Sequence, residues 1–276
     1  MDERIYLARA ALHMWEEPCI SGTKGSGTVF FSGCGLRCCF CQNHDIAIGS
    51  RGRAVSVERL GEIFLELKEK GAANINLVTG AHYVPQIIEA LDMARRKGLD
   101  IPVVYNSSGY EKTETLKLLE GYVDIYLPDL KYLDPELAQK FSNASDYVQA
   151  AKAAIGEMVR QTGKCEFGED GYIRKGTIVR HLILPGHTGN SIKALRYLHE
   201  TYGEDIYISI MNQYTPVRKF VEFKELNRKV TKREYEKVLD AAVDMGIQNG
   251  FIQEGETASE SFIPDFDYEG VEKNTP

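Results

Sequence analysis

Cys34, Cys38 and Cys41 form Cys-x3-Cys-x2-Cys within the run Phe31-Ser-Gly-Cys-Gly-Leu-Arg-Cys-Cys-Phe-Cys-Gln-Asn43. Three thiolates this close together can hold three irons of a cubane iron–sulfur cluster, whose usual ligand set is four cysteines. The iron left without a protein ligand is then open to bind and activate a small molecule. Phe40, just before the last cysteine, puts an aromatic face beside such a cluster. Zinc is the competing chemistry, because His44 follows Cys41 by three residues and would complete a tetrahedral Cys3His site. Cysteine–histidine spacing alone does not separate iron–sulfur from zinc. Structural zinc usually staples small domains that lack a core, however, and this chain does not need one. Cys39, adjacent to Cys38, reads as a packing residue.

The run Thr28–Ser32 ahead of the cysteines is short, apolar and β-favouring, so the cysteines sit on a loop after a strand. Ser56 can cap a helix in which Val57, Leu60, Phe64 and Leu67 recur every three or four positions, and Gly71 sits where a left-handed cap would stop it. Further strands are expected at 74–79, 102–107, 123–127, 177–184 and 205–211. Between them lie helical patterns at 85–97, 113–120, 135–161 (broken near Asn143) and 190–202. A last helix runs to Met245 from a capping box of Thr231 and Glu234. Such alternation predicts parallel β-α-β units with right-handed crossovers, hence an α/β fold with a partial (β/α)6 barrel of parallel strands. Functional residues then cluster at the C-terminal ends of the strands.

The chain has 276 residues, of which 43% are hydrophobic, enough to bury a sizeable core. It reads as a single domain over 1–276, with a core at about 25–250, a lead-in at 1–24 and an acidic tail at 254–276. A formal net charge of −7 argues against a nucleic-acid partner. Four of the six cysteines fall within 34–41, which suggests a reducing compartment rather than a disulfide framework. The N-terminus is charged at once, unlike a signal peptide, and no apolar run approaches a bilayer span. The expectation is a soluble, cytoplasmic protein with no membrane partner. Gly22, Gly25 and Gly27 do not make a phosphate loop, since Thr28 stands where lysine is needed; they let the chain turn into the first strand.

The cysteine motif with its aromatic, placed after an early strand, resembles the radical S-adenosylmethionine superfamily. The resemblance implies that S-adenosylmethionine chelates the open iron of a [4Fe–4S] cluster. Reductive cleavage would then give a 5′-deoxyadenosyl radical that abstracts hydrogen from a substrate. Within the superfamily, Glu16-Glu17-Pro18-Cys19-Ile20-Ser21-Gly22 and Asp129-Leu130-Lys131 are similar to a branch described as pyruvate formate-lyase activating-enzyme-like. This implies cosubstrate contacts from Phe40, the backbone of Gly80 and Ala81, Asn106, Ser108, Asp129 and Lys131, with Arg180 in the same set. The family often has Gly-Gly-Glu at the second strand end, where this chain has Gly80-Ala81-His82. His82 either takes the glutamate's place or caps the following helix. Asn106 replaces a carboxylate, which weakens the monovalent-cation site that the family builds with its aspartate. His187, Gln213 and Tyr214, also at strand ends, are expected to face the substrate or to pack.

The leading expectation is therefore a radical enzyme acting on a protein or peptide, such as a glycyl radical enzyme, with electrons from a flavodoxin or ferredoxin. The alternatives are a small-molecule or peptide-modifying enzyme using the same radical, and a non-catalytic Cys3His zinc module. Phe262, Phe266 and Tyr268 are more aromatic residues than a disordered acidic tail carries. Residues 260–270 are thus expected to dock near the open edge of the barrel or over its mouth, covering a strand edge.

Overall fold

The structure, a computed structural model, describes residues 4–253 and 264–273. Its strands are β1 (Ile5–His13), β2 (Ser26–Phe31), β3 (Arg53–Val55), β4 (Ile75–Val78), β5 (Val103–Ser107), β6 (Ile125–Pro128), β7 (Glu166–Phe167), β8 (Ile173–Leu182), β9 (Tyr207–Met211) and β10 (Gly250–Ile252). The helices are α1 (Pro18–Ser21), α2 (His44–Ala47), α3 (Val57–Glu69), α4 (Val84–Arg96), α5 (Thr113–Leu118), α6 (Pro135–Ser142), α7 (Tyr147–Thr162), α8 (Thr188–Tyr202) and α9 (Lys232–Asp244). The sheet runs β10-β9-β8-β6-β5-β4-β2-β1-β3, with β7 paired to β8. From β2 to β10 every neighbour along this order is parallel, whereas β1 is antiparallel to both β2 and β3. The six expected strands are all present in the expected order, and the fold is the α/β, mostly parallel sheet of a partial barrel.

Local chemistry accounts for the helices. The Ser56 hydroxyl accepts from the Arg59 amide and starts α3, and Gly71 beyond its end has φ 86°. Asn143 takes a left-handed φ of 51° and separates α6 from α7, because its short polar side chain tolerates that conformation. Thr231 and Glu234 form the reciprocal capping box of α9. The apolar stripes of α3 and α4 (Leu60, Phe64, Ile87, Leu91) bury against Val29 and Leu77 of the sheet, at roughly 1.5–3 kcal/mol per large side chain. The strands also carry buried polar residues, Asn76, Asn106 and Ser209, between their apolar neighbours. In an open barrel such residues lie on the inner face.

Two boundaries differ from expectation. The lead-in is largely structured: Ile5–His13 is a strand of the sheet, and Cys19, Ile20 and Ser21 of α1 are buried. Asn74 fastens α1 by donating from Nδ2 to the Ile20 carbonyl at 2.9 Å, while its Oδ1 accepts from Ser26 Oγ at 2.6 Å. Short β10 extends the barrel by one more parallel strand. Of the tail, residues 260–263, including Phe262, lie outside the described residues. Residues 264–273 dock on β1, where β3 leaves its outer edge free beyond Leu7. Tyr268 N–H donates to the Ala8 carbonyl at 3.0 Å, and Ala10 N–H donates to the Glu269 carbonyl at 2.8 Å. Arg9 pairs with Asp267 at 2.7 Å and with Glu269, Phe266 packs edge-on against Phe30, and Arg53 lies over the Tyr268 ring.

Candidate active site

The loop after β2 is pinned on both sides. Gly33 and Cys34 donate their amides to the carbonyls of Ile46 and Ala47 in α2, at 2.8 and 3.0 Å. Across the loop, Arg37 and Cys39 donate to the Ser142 and Phe141 carbonyls at the end of α6. Ser142 Oγ also lies 3.0 Å from Cys38 Sγ and is held in turn by Tyr132. Cys34, Cys38 and Cys41 thereby line one cavity of about 400 Å³. Burial raises the Cys34 thiol and pushes Cys41 up to about 12, and the nearby Lys131 charge opposes both shifts.

This donor set suits a multi-iron group. A cluster spreads its thiolates over separate irons. His44 opens α2 and lines an adjoining recess with Cys39, Cys41, Asp45 and Arg51, and it is absent from the lining of the cavity that the three cysteines share. Cys39 belongs to the apolar packing, as expected, and Cys19 and Cys165 lie in a separate apolar cluster.

Beyond the cysteines the cavity wall is charged and closely bonded. Lys131 Nζ meets Asp129 Oδ2 at 2.5 Å, and Arg180 Nε meets Asp129 Oδ1 at 3.1 Å. Arg180 also donates to Asn106 Oδ1 at 2.6 Å and to Glu16 Oε2 at 3.2 Å. Glu16 Oε1 accepts from Asn76 and Asn106, at 2.9 and 3.3 Å. Burial works to raise the Asp129 carboxyl, but Lys131 and Arg180 overcome it and hold the group below its usual range. For Glu16 burial prevails over the pull of Arg180, and its carboxyl is raised. The i, i+2 spacing puts Asp129 and Lys131 on the cavity side while Leu130 between them is fully buried.

Of the residues expected at the site, Phe40, Asn106, Ser108, Asp129, Lys131, Arg180, Gln213 and Tyr214 all line this cavity with the three cysteines. Tyr214 presents its ring, 6.1 Å from that of Phe40, while its hydroxyl turns away to the Leu226 carbonyl. Four expected residues are not in the lining. At the end of β4 the wall is Val78 and Thr79 rather than Gly80 and Ala81. Thr79 has φ 61°, which swings the chain so that a Cβ on Gly80 would meet Ile87 and Phe31 of the core. His82 is exposed beside Gly33, and His187 packs edge-on against Phe141 and faces Glu225 at 3.6 Å. Sequence reasoning missed Glu16, Glu17 and Asn76 as site residues. The signal available was two consecutive acidic residues before Pro18, which starts a buried turn of helix.

The sequence profile of the Radical SAM superfamily matches residues 28–198, more than half of the chain. An uncharacterized protein of Methanocaldococcus jannaschii is 28% identical over 244 residues, which is 86% of this chain and 67% of that protein. A pyruvate formate-lyase-activating enzyme of Clostridium pasteurianum is 27% identical over 113 residues, covering 39% of this chain and 46% of that enzyme. Among solved structures, Streptococcus suis SuiB bound to its precursor peptide SuiA matches in fold with a TM-score of 0.54 at 14% identity. That match covers 82% of this chain and 47% of SuiB, so the chain spans about half the length of this solved relative.

Proposed function

The chain belongs to the Radical SAM superfamily, and on that footing we propose an enzyme that takes hydrogen from a protein or peptide in the manner of an activating enzyme. The family implies an iron–sulfur cluster and S-adenosylmethionine; when bound, a [4Fe–4S] cluster and this cosubstrate would supply an electron and a hydrogen-abstracting 5′-deoxyadenosyl radical.

The observation that carries the reading is that the three cysteines and the Asp129–Lys131–Arg180–Asn106 set open onto the same cavity. Cys34, Cys38 and Cys41 would hold three irons, and the N–H···O bonds to α2 and α6 pin the loop that carries them. Lys131 offers an ammonium to a carboxylate, and Asp129 offers a carboxylate to an ammonium. These are the two charged groups of the cosubstrate's methionine end. Arg180 fixes Asp129 and Asn106 in place rather than reaching for the ligand, since its donors are already engaged. Leu36, Phe40, Phe31 and Tyr214 form an apolar wall that keeps water from the reacting atoms.

A protein or peptide substrate is favoured by the partial sequence likeness to an activating enzyme and by the Asp129-Leu130-Lys131 motif. A glycyl radical enzyme is the partner of that chemistry, and a flavodoxin or ferredoxin would deliver the electron. The test is anaerobic reconstitution followed by incubation with reductant, S-adenosylmethionine and a candidate polypeptide labelled with deuterium at glycine Cα. Formation of 5′-deoxyadenosine carrying deuterium supports the reading. No 5′-deoxyadenosine would refute the enzyme, and deuterium arriving only from a small molecule would refute the activase-like substrate.

A further inference from the structure

Among the described residues the cavity wall carries three carboxylates, of Glu16, Glu17 and Asp129, against two cations, Lys131 and Arg180. Asp129 and Glu16 are each bonded through both oxygens, to Lys131, Arg180, Asn76 and Asn106. Glu17 is different. It is 8% exposed, and its Oε2 is buried with no hydrogen-bond partner. Burial raises its carboxyl, Arg180 attracts it without bonding to it, and its remaining bonding comes from Ser209 and its own amide.

The backbone holds this side chain where it is. The Glu17 carbonyl accepts from the Ile20 and Ser21 amides at 2.7 and 3.1 Å, and Pro18 fixes the first helical position. Glu17 therefore projects from a rigid turn into the part of the cavity walled by β9 and β10, through Ser209 and Phe251. Asp129 bridges to Arg180, and Arg180 pairs in register with Ser209, so Glu17 on Ser209 sits one strand beyond the groups suited to the cosubstrate. An unpartnered buried acceptor calls for a donor, and because burial raises this carboxyl when it stands alone, a cation is the donor that would keep it charged. Trp15 and Phe251 add aromatic faces of the kind that attract one.

We propose that Glu17 anchors a cationic nitrogen of the substrate, an alkylammonium or guanidinium group. This rests on the proposed function and names the chemistry of the substrate end of that same cavity. The group could belong to a lysine or arginine side chain of a polypeptide or to a free amine.

Trp15 is the single tryptophan of the chain, is 55% exposed and lines the cavity, so its fluorescence reports on occupancy. The reconstituted full chain would be titrated with n-butylguanidinium, n-butylammonium and the neutral isostere n-butylurea. A saturable change with the cations, about tenfold tighter or more than with the urea, is expected from a charge-assisted hydrogen bond. Glu17→Gln should abolish that preference, and Glu17→Asp, which keeps the charge, should retain part of it. Tighter binding of N-acetyl-lysine methylamide than of n-butylammonium would assign the cation to a polypeptide, and the reverse to a free amine. Equal binding of cation and urea by the native chain overturns the proposal even if the variants do not fold. So does a Glu17→Gln protein that keeps the preference, or one whose affinity for S-adenosylmethionine falls in parallel. A native chain that makes 5′-deoxyadenosine but shows no cation preference sinks this inference alone; one that makes none sinks the function beneath it.

Discussion

Arg180 is the hub of the charged wall, and removing it tests whether that wall is built as described. Its guanidinium bonds Asp129, Asn106 and Glu16 at 3.1, 2.6 and 3.2 Å, with a side chain 16% exposed. Arg180→Met keeps most of the volume and leaves two buried carboxylates short of a cation. Breaking a buried pair by removing one partner costs about 3–5 kcal/mol. At about 2–4 °C per kcal/mol for a chain near this size, the melting midpoint should fall by roughly 6–20 °C. The pH dependence has a fixed sign. Asp129 is held below its usual range by Lys131 and Arg180 against burial, so its contribution exists above the unfolded carboxylate pKa and fades as pH falls through its lowered one. The variant raises Asp129, and Glu16, already raised by burial, takes up a proton more readily. The gap between native and variant should therefore be widest above about pH 5 and narrow as pH falls toward 3. Urea denaturation of the reconstituted protein at pH 7 and pH 4 measures it. A loss below about 1 kcal/mol, or one equal at both pH values, would refute the account of the network.

Replacing Cys34, Cys38 or Cys41 with Ala should each abolish iron retention, measured against about four irons per native chain for one cubane cluster. Cys39→Ala, Cys19→Ala and Cys165→Ala should retain it, and stoichiometric zinc bound through His44 would sink the cluster. Asp129→Ala should raise the S-adenosylmethionine concentration needed for cleavage with iron content unchanged; identical kinetics would remove Asp129 from the site. Gly270→Ala should cost about 1–2 kcal/mol and expose residues 264–273 to protease, because Gly270 has φ 70° and an added Cβ would strike the Ala10 carbonyl. Thr231→Ala should cost about 1 kcal/mol by circular-dichroism melting, through loss of the capping box on α9.

Much of the frame was legible because its signals are local. The capped ends at Ser56 and Thr231, the left-handed stop at Asn143 and the β-favouring runs each depend on a few adjacent residues. Asp129 and Lys131 were legible together because residues two apart on an extended segment share a face. β1 was missed because Ile5–His13 carries three alanines, which do not favour strands, and lacks clean alternation, being covered on both faces. β10, at three residues, is too short to announce itself. At the site, residue type misled where backbone direction decides. His82 and His187 stand at strand ends, yet the turn at Thr79 and the packing on Phe141 carry them away from the cavity. Glu16 and Glu17 entered only as part of a family signature and not as site residues, because the partners that bury them, Asn76, Arg180 and Ser209, lie far along the chain.

The seam between β1 and residues 264–273 ties together segments made far apart in time. Arg9 and Asp267 are 258 positions apart. At synthesis rates of roughly 5–20 residues per second, the outer edge of β1 stays bare for about 13–50 s before its cover exists. Over that interval the Ala8 carbonyl and the Ala10 amide offer themselves to any passing strand. The nascent chain, more than the finished enzyme, is then the form most exposed to mispairing. Conditions that slow elongation between these two segments should lower the soluble yield without altering the stability of the molecules that complete the fold.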